Sequence, residues 1–407
     1  MTRAMIAVAL IFAVACQTRQ EPRRDEVDPS QLVSRMAHPA ELIAPPPTGA
    51  RQPVPPLPAP LPGVRTDVTS LVGGASRAAI GDLDGDGDLE IVLVDSQQLR
   101  VVEPSGRELA ALPVTRGIHA LVVADLDGDG RGEVFAGWGV SRDHLATKAA
   151  FTVHRLQGRK LVEESVLAPE TSRQDVSGIV PMPDAKSVLL AFFDSKYNVT
   201  SVVATRGAHG WQTTKVASSR TATSYARGDV DGDGAIDLVV GRIYGDTKGH
   251  DGDAFMLRPD GSRLTIPSTR GMRSLAIADG DGDGRADVFM GDGWHQHYGD
   301  HARGLLTWAR YVDGRFTTEL IEDTAGQYAI DKIVPTTIDG RAALVTLGTS
   351  YVRVFQRSGT TWRGLTIAGL ARDVAVGDLD GVPGDEILII GETSEVVSLR
   401  DVRWPVR

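Results

Sequence analysis

The chain carries a single cysteine, Cys16, in 407 residues, so no internal disulfide can staple it. Aromatic residues are scarce at 5%, and together with the plentiful glycine this mix suits a helical bundle poorly. Lys and Arg form no stripe and the formal net charge is -10, which excludes a phosphate-backbone partner such as nucleic acid. Long apolar runs are missing apart from residues 4–15, and that stretch falls short of the roughly 20 residues a membrane-spanning helix needs. There is no G-x-S-x-G, no phosphate-binding loop and no dinucleotide fingerprint, so no residue is assigned a catalytic role. What the chain does have is Gly (45) and Asp plus Glu (53), the mix of a turn-rich all-β protein.

The N-terminus reads as an export signal. Arg3 supplies a positive start, an apolar stretch follows, and the small residues Ala13 and Ala15 precede Cys16. Ala13-Val14-Ala15-Cys16 resembles the lipobox of bacterial lipoproteins, with Ala13 where Leu is usual. The resemblance implies a signal peptide over 1–15, lipidation of Cys16, and membrane contact through that anchor alone. Gln17 follows the cysteine in place of Asp, which in Gram-negative lipoproteins implies the outer membrane. Residues 16–65 then form a linker. Between positions 45 and 62, nine of eighteen residues are proline, a composition that cannot donate a β ladder and favours extended polyproline II.

From residue 66 to 407 the sequence repeats. Five segments share a β-type run, an Asp/Gly loop and a second β-type run, with the first loop Asp at 82, 125, 229, 279 and 378. Two of the gaps are about double the others, and each contains a relative without the acids, starting at Gly178 and Lys332. Seven units of this size, each fitting four short strands, must stack to bury their faces. The expectation is an all-β, seven-bladed β-propeller. Its first unit has strands near 78–83, 89–94, 99–103 and 108–114. The last unit lacks an outer strand, so a segment at 67–72 is expected to complete it and fasten the ring.

The loops carry the chemistry. In the first, Asp82, Asp84, Asp86 and Glu90 occupy positions 1, 3, 5 and 9, and Asp88 at position 7 offers a backbone carbonyl. Glycines at positions 4 and 6 let the backbone wrap around a point. The set recurs as Asp125, Asp127, Asp129 and Glu133 with Arg131 at position 7, and as Asp229, Asp231, Asp233 and Asp237 with Ala235. A fourth set is Asp279, Asp281, Asp283 and Asp287 with Arg285. The fifth keeps Asp378, Asp380 and Glu386, but Val382 and Pro383 replace an acid and a glycine, so a weak or empty site is expected. An all-oxygen cage of this kind suits Ca²⁺ better than Mg²⁺. An EF-hand would need an acid at position 12, where Leu93, Ala136, Val240 and Met290 stand instead. The loops resemble the FG-GAP/VCBS-type repeats of integrin-like propellers, although the Phe-Gly-Gly-Ala-Pro signature is missing. That resemblance implies structural metal between the first and second strands of a blade.

A second group of residues follows the second strand of units two, four and five: Trp138, His144, Tyr244, His250, Trp294, His295, His297 and His301. Three readings stay open for it. The loops are simply solvated, or they form a ligand pocket for a glycan stacked on tryptophan, or His295, His297 and His301 build a metal or catalytic centre. Two functions follow. One is an exported, lipid-anchored, calcium-binding scaffold for a protein or glycan ligand. The other is an extracellular polysaccharide-active enzyme, since some polysaccharide lyases use similar propellers.

Overall fold

The computed structural model describes residues 65–67, 74–114, 117–139, 150–167, 175–181, 186–193, 198–220, 222–242, 253–267, 272–292, 304–324, 329–349, 351–382, 384–392, 394–398 and 404. All belong to one compact unit, Pro46–Arg407. The signal, Cys16 and nearly all of the linker lie outside the described residues.

Seven four-stranded antiparallel sheets are present, and in six of them the strands follow chain order. They are numbered here as blades 1 to 7 by their first strands: Arg77–Gly81, Gly117–Ala124, Asp175–Pro181, Ala222–Gly228, Met272–Ala278, Ile330–Ile338 and Asp373–Gly377. These strands touch one another in sequence, and that of blade 7 touches that of blade 1, so the array is a ring. Blade 1 continues through Glu90–Val94, Gln98–Val102 and Glu108–Pro113. Blade 7 continues through Glu386–Ile390 and Glu395–Ser398, and its fourth strand is Arg65–Asp67, which runs antiparallel to Glu395–Val397. Residues 68–72 of the segment expected at 67–72 lie outside the described residues.

The ring follows from strand periodicity. Successive side chains along a strand point to opposite faces, and a blade in the middle of a stack buries both. In blade 1, Val92 and Val94 pack toward blade 2, while Ile91 and Leu93 pack toward blade 7. The core is accordingly divided into seven apolar clusters, each shared by two adjacent blades. Ala75, Ala78, Ile91 and Leu93 meet Ala375, Leu388 and Ile390 at the seam between the last blade and the first.

The two acid-free units keep the pattern with different connections. In blade 6 the first two strands are joined by Asp339 (φ 51°) and Gly340 (φ 69°), flanked by the pair Ile338 and Arg341. Positive φ at both central residues is the two-residue hairpin turn that matches strand twist, and Asp-Gly is a favoured sequence for it. In blade 3 the connecting residues 182–185 lie outside the described residues.

Candidate metal centre

Each acidic loop joins the first and second strands of its blade, in blades 1, 2, 4, 5 and 7. The local fold is set by backbone hydrogen bonds to the loop's own carboxylates. In blade 1, the Gly85 and Gly87 N–H groups donate to Asp82 at 2.6 and 3.0 Å, and the Asp88 N–H donates to Asp86 at 2.9 Å. Gly85 and Gly87 have φ of 77° and 93°, which turns those N–H groups inward at no steric penalty. At position 7, Arg131, Ala235 and Arg285 likewise donate their N–H to Asp129, Asp233 and Asp283.

The position-9 acid closes every loop. Glu90, Glu133, Asp237, Asp287 and Glu386 accept the N–H of the position-2 residue at 2.7, 2.9, 3.1, 3.0 and 2.8 Å. All five acids are buried. The position-2 side chain is thereby driven into the seam with the next blade: Leu83 and Leu126 are buried there, as is Val230, and Leu379 is partly buried. Blade 5 has Gly280 instead, where a Cβ would come within 2.7 Å of Phe289 and 3.0 Å of the Trp308 indole nitrogen. The Trp308 ring fills the seam that an apolar loop residue fills elsewhere. The acidic loop is therefore a plug for the inter-blade core as well as a cluster of charge.

Three carboxylates converge in each loop, with oxygens within 4.8 Å of one another. The trios are Asp82, Asp84 and Asp86; Asp125, Asp127 and Asp129; Asp229, Asp231 and Asp237; Asp279, Asp281 and Asp287; and Asp378, Asp380 and Glu386. Blades 1 and 2 thus use position 5 as the third member, and blades 4, 5 and 7 use the buried position 9. The fifth loop assembles its trio despite Val382, because Glu386 stands in for the missing acid.

The electrostatics favour a cation. Burial pushes Glu90 up to about 7, and the neighbouring Asp84, Asp86 and Asp82 add to the rise. Asp287 is pushed up to about 6, again chiefly by burial. Glu133 and Asp237 are raised by the same cause. The buried oxygens Asp229 Oδ1, Asp237 Oδ1 and Asp378 Oδ1 have no hydrogen-bond partner. Unpartnered carboxylate oxygens in a dry, negative setting are strongly unfavourable unless a cation completes them. Donor sets made only of oxygen fit a hard divalent ion.

Most of the second residue group falls outside the described residues: His144, Tyr244, His250, Trp294, His295, His297 and His301. Trp138 does not, and it corrects the expectation. The second strand of blade 2 runs from Glu133 through Gly139 and is buried throughout, so Trp138 is core at 6% exposure and offers no stacking platform. Its indole N–H donates to Thr152 Oγ1, which lies 2.8 Å from His154 Nε2. Burial alone lowers His154 to about 4, so it is neutral.

Fold and loops together define a seven-bladed β-propeller with acidic loops between first and second strands. Residues 82–136, spanning the loops of blades 1 and 2, match the model of the FG-GAP-like repeat. A solved structure described as the Dos1 propeller is similar at 11% identity over 81% of this chain and 80% of that chain, with a TM-score of 0.47. No curated protein matches the sequence.

Proposed function

We propose that this protein is an exported, lipid-anchored, calcium-binding β-propeller that serves as a binding scaffold for a protein or glycan ligand at the cell surface or in the periplasm. The observation that carries the calcium reading is the convergence of three carboxylates in each of five equivalent loops, with buried oxygens left unpartnered in two of them. Asp229, Asp231 and Asp237, for example, would hold one ion in blade 4. The ion would supply charge neutralisation and a rigid loop, with no chemical step. Extracellular modules bind Ca²⁺ with Kd around 0.1–1 mM. At ~1 mM Ca²⁺ and a Kd of ~0.1 mM each site stabilises the fold by about 1.4 kcal/mol, so four or five together rival a domain's net stability.

The tether rests on the sequence around Cys16 and on the proline-rich stretch behind it. In this reading the N-terminal strand fastens blade 7, and the antiparallel register of Arg65–Asp67 with Glu395–Val397 supports it. Thermal unfolding in excess EGTA and in 1 mM CaCl₂ tests the calcium reading. The melting temperature should fall reversibly in EGTA, and equal values would end the proposal. Metabolic labelling with a radioactive fatty acid tests the anchor: label is expected in the wild type and not in Cys16→Ser.

A further inference from the structure

The residue facing the position-9 acid across the sheet differs from blade to blade. The register pairs Glu386 with Ser398 in blade 7. Extending the neighbouring pairs by one residue places Glu103 opposite Glu90, Arg155 opposite Glu133, Arg258 opposite Asp237 and Arg310 opposite Asp287. The three arginines all reach into the acidic loop of their own blade. Arg155 Nε donates to Glu133 Oε1 at 2.9 Å, while Glu133 Oε2 takes the Leu126 N–H, so both oxygens are committed. Arg258 binds Asp231 at 2.6 Å, and Arg310 stands 3.6 Å from Asp281. Blade 2 receives a further guanidinium from blade 3, with Arg206 at 3.6 Å from Asp127. In blade 1 the facing residue is itself an acid, and it draws the Arg107 guanidinium onto its own carboxylate at 2.7 Å. Arg107 therefore acts on Asp84 and Asp86 only from a distance, and no Lys or Arg among the described residues forms an ion pair with Asp82, Asp84, Asp86 or Glu90.

We infer that this facing residue sets how far each loop depends on divalent cation: an arginine there is a built-in counter-ion, and its absence leaves the loop to the metal. Blade 2 is the most self-sufficient loop and blade 1 the most dependent. The physical basis is local. A guanidinium within hydrogen-bonding distance of a buried carboxylate offsets the repulsion that a cation would otherwise relieve, and it is held in place by its own strand. A divalent ion arriving at blade 2 therefore gains less than at blade 1.

The inference rests on the calcium reading above, and the following test separates the two. The quantity read is the difference in melting temperature between 1 mM CaCl₂ and excess EGTA, for wild type, Arg155→Met and Glu103→Arg. Arg155→Met should melt several degrees lower in EGTA and recover most of that loss in calcium, so its difference exceeds the wild-type value. Glu103→Arg, at a partly exposed position, removes an acid, releases Arg107 from its pair and adds a guanidinium, so it should raise the EGTA value and shrink the difference. The double variant Arg155→Met with Glu133→Gln should return to the wild-type difference. An Arg155→Met loss that calcium does not recover overturns the inference, as does a Glu103→Arg difference equal to or above wild type. Should Arg155→Met fail to fold in either medium, Glu103→Arg decides alone. A wild type with no difference defeats the calcium reading; the inference then stands only if Arg155→Met acquires one, and falls if it does not.

Discussion

Blades 1 and 6 hold equivalent places in the ring yet join their first two strands in opposite ways. Blade 1 uses a long loop closed by Glu90, with Leu83 buried in the seam toward blade 2. Blade 6 uses the two-residue turn Asp339-Gly340, and Ile338, the last residue of its strand, is buried in the seam toward blade 7. The Gln356 amide donates to the Ile338 carbonyl at 2.7 Å and steadies that end. The seam needs an apolar side chain at this corner in both cases. The turn supplies it through backbone conformation alone, whereas the loop supplies it with a cluster of charge that must be neutralised.

The largest effect should come from removing the shared element. Leu83→Ala and Ile338→Ala should each lose about 3 kcal/mol in denaturant unfolding, the cost of a buried cavity. A loss below about 1 kcal/mol at either position breaks the equivalence of the two corners. The next prediction concerns protons and is tested in blade 1, although Asp287 in blade 5 acts in the same sense. Glu90 titrates at about 7 in the fold against 4.5 as its ordinary value. Without divalent ions, the folded state therefore binds more protons between those values. The Glu90 contribution to stability should be fully present below about pH 4.5 and should fall by roughly 2 to 3 kcal/mol as the pH rises through 7. Glu90→Gln should flatten that slope in EGTA, as read by urea midpoints at several pH values; an unchanged slope would contradict the assignment.

A smaller effect separates the corners by medium. Asp84→Asn, whose remaining oxygen can still accept the Asp86 N–H, should lose about 1.4 kcal/mol in 1 mM calcium and little or nothing in EGTA. The smallest belongs to blade 6. Gly340→Ala, at φ 69°, should cost about 1 kcal/mol, and equally with and without calcium. A calcium-dependent loss there would erase the distinction between the two connections.

Much of this was legible because it is local. The strands of blade 1 lie within two residues of the ranges read from hydrophobic alternation, and Asp at positions 1, 3 and 5 announces the loops. The plug went unread, although Leu83, Leu126, Val230 and Leu379 recur beside the first Asp, because which seam a loop side chain enters depends on how the blades stack. Trp138 was misplaced because nothing in the sequence marks how far its strand runs before the loop begins. Arg155, Arg258 and Arg310 went unnoticed because their role depends on cross-strand register, which brings positions about 22 residues apart together in the blade. The fifth loop was expected to be weak because Val382 and Pro383 replace an acid and a glycine, yet the retained Glu386 is buried and completes a trio with Asp378 and Asp380.

Hydrogen exchange at the position-2 amides probes the central claim most directly, because Leu83, Leu126, Val230 and Leu379 each donate to a buried closing acid. Calcium should slow exchange at these amides, most at Leu83 and least at Leu126, while the Arg341 amide beyond the blade 6 turn keeps its rate. Identical rates at all of them with and without calcium would contradict the idea that a bound cation holds the plugs in the seams.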